Sequence, residues 1–128
     1  MVYVKINDVL YPASVSGRMS DMEWGGRESK AIKVEMDYES AKALFVDDLK
    51  WSIVDKQENP VYEVDEQGQY VLDGNGERIR TGVETQETEW DNSEFAIAGD
   101  ITDHRNGTVT AKMGKPTDSE LLAIIMGG

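Results

Sequence analysis

Ten residues, "GDITDHRNGT" (99–108), contain the side chains of this chain that best fit catalytic chemistry. They include the only histidine, His104, between Asp103 and Arg105. A histidine beside a carboxylate is a common starting point for general acid–base catalysis or metal binding. The same stretch contains Asn106-Gly107, the dipeptide that most strongly favours a tight β-hairpin turn.

The geometry of a strand argues against catalysis at this position. Adjacent strand residues point to opposite faces, so Asp103 does not orient His104. Asp100 lies four residues away, which is more than about 10 Å along a strand. We therefore predict that His104 and Arg105 are exposed beside a type I′ turn at Asn106-Gly107, as candidate contact residues, and we assign no catalytic residue.

A second stretch, "DGNGE", resembles the start of a calcium-binding loop through Asp73, Asn75 and Glu77. Such a loop requires glycine at its sixth position and a bidentate glutamate at its twelfth. The sixth position here is Arg78 and the twelfth is Glu84, so the glycine requirement fails. The stretch is interpreted as a hairpin turn.

Other chemistries are restricted by residue types. The chain has no cysteine and one histidine, which excludes thiolate chemistry and a multi-histidine metal site within one chain. No phosphate-binding glycine loop is present. We assign no cofactor and no metal site, although weak calcium binding among Asp91, Glu94 and Asp100 stays open.

Charge defines the expected partners. Acidic residues outnumber basic ones 25 to 13, for a net charge of −12. Such a chain repels phosphate backbones and anionic membranes, so neither nucleic acid nor membrane is an expected partner. A basic protein surface, or self-association, is favoured instead. The start, "MVYVKINDVLY", has no signal peptide, which predicts cytoplasmic synthesis, with export only inside a larger assembly.

Period-two patterns predict strands over most of the chain. "VYVKI" and "KAIKVEMDY" alternate apolar and polar residues, and Asn7-Asp8 reads as a tight turn. Pro12 predicts that the second strand is an edge or contains a bulge. We expect one mainly-β domain over residues 1–128, folded as an antiparallel barrel or sandwich.

Two helices interrupt the strands. The first is predicted at about residues 39–47, with Asp37 as its cap. The second is predicted at about 117–126, where Thr117 and Glu120 form a capping box. Its sequence, "SELLAIIM", is apolar on almost every side, which favours burial in the core over use as a docking surface.

The middle of the chain differs from its flanks. Residues 55–88 contain short, polar strand-like runs separated by "EQG" and "GNG", which predicts a projecting hairpin or meander. The connector "ETQETEWDNSE" is expected to be the most mobile part. No internal repeat is recognised.

Tryptophan and arginine indicate where contacts form. Trp24 and Arg27 lie in the glycine-containing segment "MEWGGRE", and both types are enriched at binding hot spots. Trp24 alternatively folds back as a lid on the core. If two of Trp24, Trp51 and Trp90 line one open groove, a carbohydrate-binding module is the alternative. The candidate contact residues are Trp24, Arg27, Trp90, His104 and Arg105.

Two blocks of sequence resemble a known family. They are "VSGRMSDMEWGGRESKAIKVEMDYESAKALFVDDLKWSIV" and "WDNSEFAIAGDITDHRNGTVTAKMGK", together about half of the chain. They are similar to small, mostly uncharacterised proteins of prophage and siphovirus gene sets in gut Firmicutes, generally among virion-structure genes. The resemblance implies a non-enzymatic component of a phage tail or virion. It assigns no site residues and does not cover residues 55–88.

Overall fold

The structure is a computed structural model that describes residues 1–125. It contains seven strands, one short 3₁₀ helix and two α-helices. The strands are β1 (Val2–Ile6), β2 (Val9–Asp21), β3 (Arg27–Glu35), β4 (Trp51–Tyr62), β5 (Arg80–Asp91), β6 (Ile97–Asp103) and β7 (Thr108–Gly114). The helices are the 3₁₀ turn Met22–Trp24, α1 (Tyr38–Leu44) and α2 (Asp118–Ile125).

All seven strands form one antiparallel sheet in the order β5-β4-β1-β2-β3-β7-β6. The mainly-β prediction is therefore confirmed. Closure into a barrel is wrong, because the terminal strands β5 and β6 do not pair with each other. An open sheet keeps two strand edges that a barrel would have removed.

Of the two predicted tight turns, the one at Asn7-Asp8 is confirmed and the one at Asn106-Gly107 is of a different type. Asn7 and Asp8 both have positive φ, 52° and 64°, which are the values of a type I′ turn between β1 and β2. The β6–β7 hairpin is confirmed, but its turn is not type I′. His104 N–H donates to the Thr108 carbonyl at 3.1 Å, which closes a three-residue loop with positive φ at Arg105 rather than at its asparagine.

Pro12 lies inside the sheet and not on an edge strand. β2 runs between β1 and β3, and Pro12 is opposite Tyr3 of β1. On its other side, pairing with β3 begins only at Ala13. The proline therefore needs no donor towards β3, which explains why a central strand tolerates it. A bulge does occur in β2, but between Arg18 and Asp21.

The hydrophobic core lies on one face of the sheet under α1 and the segment around Phe95. Trp51 and Phe95 meet edge to face with centroids 6.5 Å apart, and the Trp51 indole N–H donates to the Phe95 carbonyl at 3.1 Å. This geometry satisfies the one polar atom of a buried tryptophan. The buried apolar residues are Val4, Ile6, Ile32, Val34, Ala41, Phe45, Trp51, Val54, Phe95, Val109, Ala111 and Met113.

Helix α1 begins where the sequence predicts. The Asp37 carboxylate accepts the Ser40 N–H at 2.6 Å, so it is the N-cap. The helix ends at Leu44 rather than at residue 47, and it turns Ala41 and Phe45 into the core.

Helix α2 has the predicted capping box. Glu120 N–H donates to Thr117 Oγ1 at 3.3 Å, and Thr117 N–H donates to Glu120 Oε1 at 2.8 Å. The expected burial is wrong for Leu121 and Leu122, which are 43% and 57% exposed. The burial of the apolar side chains from residue 124 onward lies outside what the structure describes, which for residues 124 and 125 is the backbone alone. Within residues 1–125, no helix has the length and apolar character needed to cross a membrane.

The chain divides into two compact units. The larger, called here the core unit, consists of residues 2–54 and the chain from 89 onward, and the smaller, called here the 55–88 unit, consists of Met1 and Asp55–Thr88. The 55–88 unit is made of hairpins, and the stretch between β4 and β5 contains two isolated bridges, Val64 with Tyr70 and Leu72 with Arg78. The prediction that "ETQETEWDNSE" is a connector is wrong, because most of it belongs to strand β5.

Candidate interaction surfaces

Trp24 is a lid on the sheet and not a free hot-spot residue. It ends the 3₁₀ turn, and Gly25 with φ 70° redirects the chain after it. The indole ring covers the backbones of Gly99 and Gly114, because a Cβ atom at these positions would lie 2.6 and 2.8 Å from the ring. Of the two interpretations of Trp24, the structure therefore supports the lid.

Arg27 holds this lid and the start of α2 together. Its guanidinium carbon lies 4.9 Å from the Trp24 ring centroid, and its Nε–H donates to the Trp24 carbonyl at 3.2 Å. Its Nη1 donates to the Lys115 carbonyl at 3.0 Å and to Glu120 Oε1 at 2.8 Å. The Thr117 N–H and then this guanidinium lower the pKa of Glu120. All these contacts are within the fold, so Arg27 acts here as a structural residue.

Asp21 is a fully buried carboxylate under the same tip. It accepts hydrogen bonds from Lys112 Nζ at 3.0 Å, Ser29 Oγ at 3.1 Å and Glu23 N–H at 3.1 Å. The Lys112 hydrogen bond is the largest influence, and with the other two it lowers the pKa of Asp21 although burial opposes the shift. Arg18 Nη1 is a fourth donor at 3.5 Å, and a buried charge with four donors is a satisfied structural group.

His104 lies exposed on the β6–β7 hairpin, as predicted. Its Nε2 is 2.8 Å from Thr110 Oγ1, and Asp103 instead accepts the Arg105 N–H at 2.9 Å. The neighbouring carboxylate therefore shapes the turn and does not orient the imidazole. His104 and Arg105 form an exposed polar hairpin tip.

The carboxyl groups with clearly shifted pKa values all move in one direction. Hydrogen bonds to Ser40 and Ser93 lower the pKa values of Asp37 and Asp91 respectively, and Asp21 and Glu120 shift the same way. A catalytic general acid needs the opposite shift. Among residues 1–125 no group of three or more histidine or acidic side chains is arranged to hold a metal ion.

Concave surfaces of the core unit are open and mixed in character. A groove of about 560 Å³ lies beside α1 and β6, with Tyr38, Phe45 and Ile101 in its walls. Asp47 at its rim already accepts the Ala98 N–H at 2.8 Å. A smaller space of about 100 Å³ lies beside Trp24.

Of the three tryptophans, Trp90 alone has a largely exposed side chain. Trp51 is 2% exposed and Trp24 covers the glycine backbones described above, whereas Trp90 on β5 is 50% exposed. The carbohydrate-binding hypothesis requires two rings along one groove. The described structure does not provide that pair.

The two terminal strands of the sheet differ in protection. The start of β6 is covered by the α1–β4 loop, where Asp48 N–H donates to the Ala96 carbonyl at 2.7 Å. β5 has β4 as its one strand neighbour among residues 1–125, and all twelve of its residues are exposed. β5 is therefore the open edge of this sheet.

Two turns of the 55–88 unit are identical in their hydrogen bonds. Asp65 Oδ1 accepts the N–H groups of residues 67 and 69, both at 2.9 Å. Asp73 Oδ1 accepts those of residues 75 and 77, at 2.8 and 3.1 Å. In both turns the glycine three positions after the aspartate has positive φ and donates to the aspartate carbonyl. Residues 65–72 and 73–80 thus repeat one eight-residue unit.

The repeat generates a three-way backbone ring. Glu63 N–H donates to the Ile79 carbonyl at 2.8 Å, Ile79 N–H to the Val71 carbonyl at 3.3 Å, and Val71 N–H to the Glu63 carbonyl at 3.0 Å. These residues are eight positions apart. The expectation of no repeat is therefore wrong. The signal was the spacing Asp-x-x-Gly at 65–68 and again at 73–76.

The residues just before the ring also come together. The rings of Tyr62 and Tyr70 meet edge to face with centroids 6.0 Å apart. The Arg78 guanidinium carbon lies 4.0 Å from the Tyr70 centroid and 5.7 Å from that of Tyr62. Positions 62, 70 and 78 have the same eight-residue spacing, and sequence reasoning did not select any of them as a contact residue.

Comparison with known proteins identifies no family: no family model, no curated protein and no solved structure matches this chain. Function is therefore inferred from the open edge, the hairpin tips and the 55–88 unit.

Proposed function

We propose that this chain is a non-enzymatic structural module that acts through protein–protein contacts, as a component of a phage or prophage tail. The observation that carries the proposal is the open edge of the sheet. β5 presents twelve exposed residues on a terminal strand, with neither proline nor lysine among them. Proline and charged side chains, lysine above all, are the means by which monomeric proteins block such edges. The charged side chains of β5 are four acids and one arginine, which disfavour a second copy of this strand and favour a basic partner segment.

Strand addition is a common way in which β modules assemble. An extended segment of another protein adds its backbone hydrogen bonds to an exposed edge, and neighbouring side chains give specificity. The acidic balance of the chain, net −12, disfavours nucleic acid at this edge. The tail assignment itself comes from the resemblance of residues 15–54 and 90–115 to a family encoded among virion-structure genes.

Particle composition tests the proposal. After induction of a strain that encodes this chain, density-purified particles are expected to contain it, as measured by quantitative mass spectrometry. Thr85→Lys places a lysine on β5 and is expected to reduce incorporation, whereas the control Thr85→Val keeps a β-branched residue and is expected to preserve it. Absence of the unmodified chain from the particles, while that chain is abundant in the lysate, would contradict the proposal.

A further inference from the structure

The 55–88 unit has a continuous surface that mixes aromatic, apolar and cationic side chains. Tyr70 contacts both Tyr62 and Arg78, as the ring and guanidinium distances show. Val64 is the bridge partner of Tyr70, and Leu72 is that of Arg78. Directly opposed residues on paired strands have their Cβ atoms about 5 Å apart. These five residues, called here the Tyr–Arg surface, are therefore neighbours.

This surface is not supported by a core of its own. Val64, Tyr70 and Leu72 are 53%, 50% and 55% exposed. No residue between 55 and 88, all of which the structure describes, is buried. Two-stranded hairpins with no covered apolar face are only marginally stable in water. Grouped exposed apolar side chains rimmed by polar ones mark interaction sites on soluble proteins.

The charge around the surface defines what can cover it. Residues 55–88 contain nine acidic and three basic side chains, a net charge of −6, which is half of the charge of the whole chain in about a quarter of its length. Two of the acids, Glu66 and Glu77, belong to the repeated turns next to the surface. Complementary charge speeds association and suppresses partners of the wrong sign.

We propose that the Tyr–Arg surface is the docking site for a segment of another protein that carries apolar residues flanked by lysine and arginine. Tyrosine and arginine are, with tryptophan, the residue types that most often dominate binding energy at protein interfaces. Apolar side chains of the partner would cover Val64, Tyr70 and Leu72, and its basic flanks would face the acidic turns. The proposal rests on the proposed protein-interaction function and gives it a second site, apart from the backbone edge of β5, with a partner of stated chemistry.

Selection from a random dodecamer peptide library on the intact, immobilised protein tests the proposal. The expected peptides combine apolar residues with flanking lysine or arginine. Bound peptide is expected to slow hydrogen exchange in residues 61–80. Leu72→Ser removes one apolar group and leaves the tyrosine–arginine stack and the Asp73 turn in place, so it is expected to weaken these peptides about tenfold. Met19→Ser, at an 84% exposed position of the core unit, is the matched control and is expected to leave affinity unchanged.

A charge-reversal pair tests the electrostatic half of the proposal. Glu66→Lys with Glu77→Lys is expected to weaken the selected peptides and to flatten the dependence of their affinity on salt. Glu35→Lys, at an exposed residue of β3, is the control for a charge change elsewhere. Circular dichroism of each variant confirms that loss of binding does not reflect unfolding.

Several results would overturn this inference. They are a selection that yields no peptide above background, peptides without basic enrichment, peptides that bind Leu72→Ser as tightly as the parent, and self-association of the chain that Leu72→Ser abolishes. Each of these leaves the particle-composition test unaffected. If the chain is absent from particles but the peptides bind as expected, the tail assignment fails and the docking site stands.

Discussion

The core unit and the 55–88 unit are both built from antiparallel strands, but different interactions hold them. In the core unit, twelve apolar side chains are buried, and eleven of them form one hydrophobic cluster. In the 55–88 unit no side chain is buried, and the contacts are aspartate-closed turns, a backbone ring and a tyrosine–arginine stack. The same secondary structure thus occurs with and without hydrophobic burial. The hydrophobic core predicts that the core unit contributes most of the stability of the fold. The exposed apolar surface of the 55–88 unit, which has no core of its own, predicts that this unit binds a partner.

The largest expected difference between the units is the effect of removing an aromatic ring. Trp51→Ala in the core unit is expected to lower the free energy of unfolding by about 3–5 kcal/mol, because it leaves a cavity and a carbonyl without its donor. Tyr70→Ala in the 55–88 unit is expected to cost less than about 1.5 kcal/mol, the scale of a partly exposed aromatic contact. Urea denaturation measures both. Equal losses would show that the 55–88 unit has core-like packing.

A smaller effect is expected from the buried carboxylate of the core unit. The folded pKa of Asp21 is lower than its ordinary value of about 3.9, so Asp21 stabilises the fold above that value. Its contribution is lost as the pH falls through the folded pKa. Asp21→Asn is therefore expected to lower the melting temperature at pH 7 and to reduce the further loss on acidification below about pH 4.

The control for this titration is Asp100→Asn, at an exposed residue of β6. It is expected to leave the melting temperature at pH 7 close to that of the parent. If Asp21→Asn melts like the parent at every pH, the Lys112 and Ser29 contacts do not stabilise the fold.

Local sequence signals predicted the parts of the fold that depend on local chemistry. Alternation predicted the strands that cover the core, and the caps at Asp37 and Thr117 follow from hydrogen bonds within one turn. The Asn7-Asp8 turn was predicted for the same reason.

Elements governed by long-range packing were predicted less well. Most of β5, from residue 84 onward, was missed because both of its faces are exposed, so its sequence has no apolar alternation to detect. Burial of α2 was expected from composition, although Arg27 and Glu120 attach the described part of this helix by charge. The central position of Pro12 is tolerated because pairing with β3 begins only at Ala13, and period-two patterns do not reveal where that pairing begins.

The candidate contact residues had a similar outcome. Trp24 and Arg27 were selected by residue type, and both are used inside the fold. His104 and Arg105 are exposed as expected, and Trp90 is half-exposed on the open edge. The Tyr–Arg surface was missed because its members are eight residues apart, a spacing that corresponds to neither a helix nor a single strand.

Hydrogen exchange of the intact protein, followed by mass spectrometry, tests the contrast between the two units most directly. Amides of β3 and β7, which pair over seven positions above the core, are expected to exchange at the rate of global unfolding. Amides of residues 63–79 are expected to exchange much faster through local opening, although they are hydrogen-bonded. Protection of residues 63–79 as strong as that of β3 and β7 would contradict the account of a unit ordered without a core.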